Sequence, residues 1–157
     1  MDISSDELAA IVDLFDGMTH QELHKACKEL AARKGRDYNH DQVSQVIQAA
    51  IESYHLVAID SEEGSFLLSG PVAFPQLPEH GDDLPHILDI PDRDLTKSVV
   101  VDAVEQQFRK DAAQAVNRAD VDRIQTLIDI SYDLEAWGPM TLQKVRNKLD
   151  QIQQSAE

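Results

Sequence analysis

Residues 39–68 read NHDQVSQVIQAAIESYHLVAIDSEEGSFLL, and the change of period inside them decides the fold. Asn39 is a helix cap, and Val43, Val46, Ile47, Ala50, Ile51 and Tyr54 then recur at helical spacing as one buried stripe. After Tyr54 the helical period stops. Leu56, Val57 and Ile59 lead into the polar run Asp60-Ser61-Glu62-Glu63-Gly64, and Phe66, Leu67 and Leu68 follow it, which is the pattern of a β-hairpin.

Two further helices are predicted upstream. Ser4 with Glu7, and Thr19 with Glu22, are capping boxes. The first opens a helix carrying Leu8, Ile11, Val12 and Phe15 to a stop at Gly17. The second opens one carrying Leu23, Ala26, Cys27, Leu30 and Ala31 until Arg33, Lys34 and Gly35 end it. Three helices and then a hairpin is the element order of a winged-helix domain.

Downstream, five of the six prolines fall at positions 71, 75, 78, 85 and 91, each disfavouring helix before it. Val72, Phe74, Leu77, Leu84, Ile87, Leu88 and Ile90 make this stretch too apolar for a solvated linker, so a packed connector is expected. Three more helices follow. One starts near Asp94 or Thr96, carries Val101, Val104, Phe108, Ala112 and Ala115, and breaks around Asn117. One is capped by Asp120 and buries Ile124, Leu127, Ile128 and Tyr132. One is capped by Thr141, with Leu142, Val145, Leu149 and Ile152 along a face, and frays from Gln151 to Glu157. The expected fold is mainly α with a small β-hairpin: a winged-helix-like unit over 1–70, a proline-rich packed connector over 71–93 and a C-terminal three-helix unit over 94–157.

The charge bears on the milieu. Nineteen Asp and ten Glu against 14 Lys and Arg give a formal charge of −15. Such a surface repels itself in dilute buffer, whereas at about 1 M salt the Debye length shrinks to roughly 3 Å and most of that penalty disappears. The acids are distributed along the chain and do not form one tail, which points to a salt-adapted cytoplasm. No apolar run approaches the roughly 20 residues of a membrane span. The start Asp2, Ser4, Ser5, Asp6, Glu7 lacks the basic and apolar character of a secretory signal. The lone Cys27 lies on an apolar stripe, where burial is its expected role.

Phe74-Pro75-Gln76-Leu77-Pro78, the run from Asp83 to Arg93 and Ser131-Tyr132-Asp133-Leu134-Glu135-Ala136-Trp137, taken with this acidity, resemble an uncharacterised family of haloarchaeal proteins over most of the chain. The resemblance implies a salt-rich cytoplasm. It carries over no catalytic or binding residue.

DNA binding is the first function to weigh for a winged helix, and the residues oppose it. From Asp37 to Asp92 the chain has 56 residues without a Lys or Arg and eleven Asp and Glu. The expected outer face of helix three, His40, Asp41, Gln42, Ser44, Gln45, Gln48, Glu52 and Ser53, and the wing tip, Asp60, Glu62 and Glu63, offer phosphates no cation. The candidate contact for nucleic acid is instead Lys25, Lys28, Arg33, Lys34 and Arg36, five basic residues in twelve positions. Their plainer reading is as helix-end charges that complement the macrodipole and pair with Glu29 and Asp37.

His80, Asp82, Asp83, His86 and Asp89 combine imidazole with carboxylate but match no defined metal spacing, and His86 reads as an interfacial histidine. In His20-Gln21-Glu22-Leu23-His24 the Glu is one position away from an H-E-x-x-H site. No nucleophile elbow or phosphate loop is present in the sequence. Trp137 is a partner anchor or the cover of a helix end. The reading is a non-enzymatic interaction or regulatory module without cofactor, metal or small-molecule substrate, with a protein partner or self-association. The alternative is a nucleic-acid-associated regulator using the cluster on helix two.

Overall fold

The computed structural model describes residues 2–61, 64–91, 93 and 95–155. The protein is mainly α-helical with one small antiparallel hairpin, and it divides into two compact units, residues 1–95 and 96–157.

In the first unit, α1 (Ser5–Leu14), α2 (His20–Arg33) and α3 (His40–Glu52) precede β1 (Leu56–Ser61) and β2 (Gly64–Ser69). Both capping boxes form, because each Ser or Thr oxygen accepts from the backbone N–H three residues on while the Glu carboxylate accepts from the cap's own N–H. Asn39 caps α3 through Gln42. Leu56 pairs with Ser69, and the ladder closes at Ser61 and Gly64, so Asp60 and Ser61 on the β1 side and Gly64 on the β2 side belong to the strands and not to the expected turn. Glu62 and Glu63 lie outside the described residues. Leu8, Ile11, Leu23, Cys27, Leu30, Ile47, Leu56 and Leu67 form one buried cluster between the helices and the hairpin.

Three local features were not anticipated. Met18, between α1 and α2, exchanges both backbone hydrogen bonds with Leu67, at 3.0 and 2.7 Å, so it adds a one-residue third strand to the hairpin. Gly70 passes so close to α3's exit that a Cβ there would lie 2.2 Å from the Tyr54 carbonyl oxygen. The proline-rich stretch also contains a helix, α4 (Leu84–Ile87), after a single 3-10 turn at Gly81–Asp83. Pro85 is compatible with it because it falls in the first turn, where no N–H is required. Leu84 and Leu88 from this stretch join the first unit's core.

The second unit holds α5 (Lys97–Arg118), α6 (Val121–Trp137) and α7 (Gln143–Ser155) around Val104, Phe108, Ile124, Leu127, Leu134, Leu142 and Leu149. Thr96 stands at the N-cap of α5, and the other suggested start, Asp94, is outside the described residues. Asp120 caps α6 through Arg123 N–H. Three expectations are corrected. Leu142, not Thr141, accepts the first hydrogen bond of α7, from Arg146 N–H. Gln151 does not begin a frayed end, since the helix runs to Ser155; Ala156 and Glu157 are not among the described residues. Tyr132 is exposed where the helical spacing placed it in the core. A phenol keeps its hydroxyl wet at little cost when its ring finds another partner, here the Arg146 guanidinium.

Candidate functional site

The sequence-predicted basic residues are distributed over α2 and the turn that follows it. Lys25 and Lys28 are exposed on α2 and lie about 60° apart around its axis, while Arg33 falls about 80° from Lys25 on the other side and Lys34 about 120° or more from either lysine. Arg33 is engaged by Asp83 at 3.6 Å and by Glu29 at 4.0 Å, Lys34 is half-buried at the helix end, and Arg36 is exposed beyond it. The outer face of α3 carries exposed His40, Asp41, Gln42, Gln45, Gln48 and Glu52. Ser44 and Ser53 depart from that face: both are half-buried, Ser44 against His24 and Ser53 against His55.

Between α2 and α3 the fold builds a histidine cluster. The His24 ring nitrogens meet the Tyr38 hydroxyl at Nδ1 and Ser44 Oγ at Nε2, the latter at 3.1 Å. The His40 ring stacks on His24 with centroids 4.0 Å apart. Hydroxyls donate or accept, so either neutral tautomer of His24 is satisfied. Burial, then the neighbouring His40 and His20, push the His24 pKa below its usual 6.5. A Ser beside a His is the minimal nucleophile and base. Here the third member is Tyr38, whose pKa is raised by burial and then by Cys27, so near neutrality it supplies no anion to stabilise an imidazolium. The arrangement acts as a polar bridge holding α3 on α2. His24 comes from α2, 14 and 20 residues before Tyr38 and Ser44, and no local motif announces the cluster. Cys27 is buried, with its thiol pushed up to about 12 by desolvation.

Glu22 of the H-Q-E-L-H run has two tasks. Its Oε1 accepts from Thr19 N–H at 2.9 Å, and both its oxygens face Arg93, at 2.5 and 3.0 Å. The Arg93 guanidinium also donates to the Gly17 carbonyl at 3.3 Å and lies over the Phe66 ring at 4.7 Å. Arg93 is the first cation after the long gap, and it fastens the end of the proline-rich stretch to α2 and β2. Burial alone raises the Glu22 pKa, but the Arg93 hydrogen bonds, the Thr19 N–H and the Arg93 charge together bring it below the usual 4.5. Beside it, a cavity of about 270 Å³ is lined by Asp13, Asp16, Leu68, Ser69 and Leu95 as well as Arg93.

The stretch between β2 and Arg93 displays apolar side chains on an anchored backbone. Phe74 N–H donates to Asp6 Oδ1 at 3.0 Å and Gln76 N–H to the Asp6 carbonyl at 3.2 Å, yet the Phe74 side chain is 83% exposed and Leu77 41%. His80 lies within 3.9 Å of Asp83 and 3.8 Å of Glu79. His86 is exposed on α4, contrary to its expected place in an interface, because the buried positions of this turn go to Leu84 and Leu88. Among the described residues no three His, Cys, Asp or Glu side chains converge as a metal site.

In the second unit Glu135 accepts from Leu142 N–H at 3.0 Å and from Arg146 at 2.7 Å, and Arg146 also donates to the buried Ser131 hydroxyl. These bonds, the Leu142 N–H first, lower the Glu135 pKa. Trp137 ends α6 half-buried. A groove of about 220 Å³ runs between α5 and α7. No described helix is long and apolar enough to cross a membrane.

Comparison with curated proteins and with solved structures finds no match. Residues 6–154 do match one family over nearly the whole chain, and the protein belongs to that family of unknown function, DUF7109.

Proposed function

We propose that this protein is a non-enzymatic docking module, regulatory in role, of a salt-adapted halophilic cytoplasm, and that its partner protein closes over Phe74. The observation that carries this reading is the exposed Phe74 ring on a backbone already tied to Asp6. An aromatic anchor whose backbone is held before binding loses little further entropy on association, and such anchors dominate interface energies. Pro75 stiffens the same segment, and Leu77 extends the apolar area. The charge of −15 supports the saline setting. The Ser44, His24 and Tyr38 chemistry described above supports a structural task over catalysis.

The test is affinity purification from native lysate in multimolar KCl, with and without nuclease, using the natural protein beside Phe74→Ser. The proposal expects proteins that survive nuclease and are lost with Phe74→Ser. An identical set of proteins on both baits would sink it.

A second reading is a winged-helix regulator of nucleic acid using Lys25, Lys28, Arg33, Lys34 and Arg36. It is favoured by the element order of the first unit, three helices followed by a hairpin. Reversing Lys28 and Arg33 to Glu is expected to abolish nucleic-acid binding on this reading, and unchanged binding would end it.

A further inference from the structure

We infer that the groove between α5 and α7 is a second docking site, distinct from Phe74, and that it takes an amphipathic helix with acidic flanks from a partner protein. The groove's walls are built at helical spacing. Helix α5 contributes Arg109, Ala112, Ala113 and Val116 at i, i+3, i+4 and i+7, and α7 contributes Val145, Lys148 and Leu149 at i, i+3 and i+4. Those are the stripes that one helix presents to another. Leu149 and Ala112 are buried, but Ala113 is exposed and Val116 and Val145 are only half-buried, so the apolar floor continues out of the core into open space. The two alanines keep the α5 wall low, which lets a ridge of larger side chains approach between the helices.

Charge selects the occupant. The chain has twice as many acids as bases, yet none of the residues lining this groove is acidic and two are cations. Arg109 has Glu105 at 3.6 Å, whereas Lys148 makes no ion pair with any described residue, and Lys144 stands one turn before it on the same edge of α7. A helix with Leu along its ridge and Glu on its flanks satisfies both features. A second copy docking through this same face by two-fold symmetry would set cations against cations. Nucleic acid is disfavoured as well, since the lining offers no aromatic ring for bases and few cations for phosphates.

The probe is a fluorescent helical peptide of about twenty residues, long enough to span the groove, with Leu at i, i+3, i+4 and i+7 and Glu on either side. Its anisotropy is titrated with the full chain in multimolar KCl and at the lowest KCl that leaves the circular dichroism unchanged. Binding is expected, with Ala113→Arg weakening it about tenfold or more by filling the groove from an exposed helical position, and Lys148→Glu weakening it by a similar factor at the lower salt. A companion peptide with Lys in place of Glu is expected to bind worse than the Glu peptide to the natural protein, by a margin that shrinks with Lys148→Glu. Absence of binding, equal affinity for the two peptides at the lower salt, or indifference to Ala113→Arg would each overturn the inference. Phe74→Ser is expected to leave peptide affinity unchanged, which keeps this site separable from the one proposed above.

Discussion

Residues 1–95 carry nineteen acids and six bases, a net −13, while residues 96–157 carry ten and eight, a net −2. Acids occur throughout both units, but the bases are shared out unevenly. Self-repulsion grows with the square of the charge, so on the order of forty times more of it resides in the first unit. The two units nevertheless share a device. Each holds a Glu that accepts from a backbone N–H at a helix start and from an Arg whose guanidinium lies on an aromatic ring: Glu22, Arg93 and Phe66 in one, Glu135, Arg146 and Tyr132 in the other. Any response to salt is therefore expected chiefly in the first unit, whereas the half-buried ion pairs serve both.

The largest expected effect follows from this imbalance. Amide hydrogen exchange of the intact chain, measured as KCl is raised into the molar range, is expected to show protection rising by several kcal/mol across α1 to β2 and far less across α5 to α7. Equal gains in both units would break the charge argument. Next in size is Gly70→Ala. The added Cβ meets carbonyl backbone, 2.2 Å from the Tyr54 oxygen and 2.8 Å from its carbon, and backbone that also carries the Val72 hydrogen bond has no easy retreat. A loss of about 3 kcal/mol is expected in denaturant unfolding, with faster exchange in β1 and β2. A loss below about 1 kcal/mol would mean that this segment yields more readily than its packing implies.

What was legible in the sequence was local. Ser4 with Glu7 and Thr19 with Glu22 lie three residues apart, the reach of a single helical turn, so their boxes are written in the order of residues. The hairpin announced itself because the apolar period changed at Tyr54. The second Glu device was silent: Glu135 reaches Leu142 from the neighbouring helix, and only the turn through Gly138 and Pro139 brings them together. Arg93 on Glu22, Met18 on Leu67 and His24 on His40 are likewise products of tertiary packing. Composition singled out Lys25 to Arg36, but it could not show that Asp83, from the proline-rich stretch, engages Arg33. The apolar character of Phe74 argues, from sequence, for packing. Its backbone is held as a packed segment's would be, while its ring is not.

Arg93→Met and Arg146→Met compare the two devices directly. Arg93 donates to both oxygens of Glu22, whereas Arg146 donates to one oxygen of Glu135, and each Glu keeps its backbone N–H partner when its Arg is lost. The expected losses are about 2 kcal/mol for Arg93→Met and about 1 kcal/mol for Arg146→Met. Both carboxyls have folded pKa values below the usual 4.5, so each contributes stability that is fully present above that value and is lost as pH falls through the folded one. The gap between natural protein and variant should thus be constant above about pH 5 and close on further acidification. A gap that persisted at the acid end would assign the loss to packing of the Arg stem on its ring.

The smallest effect is expected at Gly138. Its added Cβ would lie 3.1 Å from Val101 Cγ2, and its φ of −142° is open to any residue. The crowding atom is a methyl on a side chain, which gives way by a few tenths of an ångström, so Gly138→Ala should cost less than about 1 kcal/mol. Gly70→Ala inserts the same methyl group, and the difference between the two measures what stands opposite it, fixed backbone in the first unit and a movable valine in the second. If Gly138→Ala proved as costly as Gly70→Ala, Val101 would have to be held as rigidly as a carbonyl. The turn that brings Leu142 to Glu135 would then be the stiff point of the second unit, with Glu135 aligned by that turn more than by Arg146.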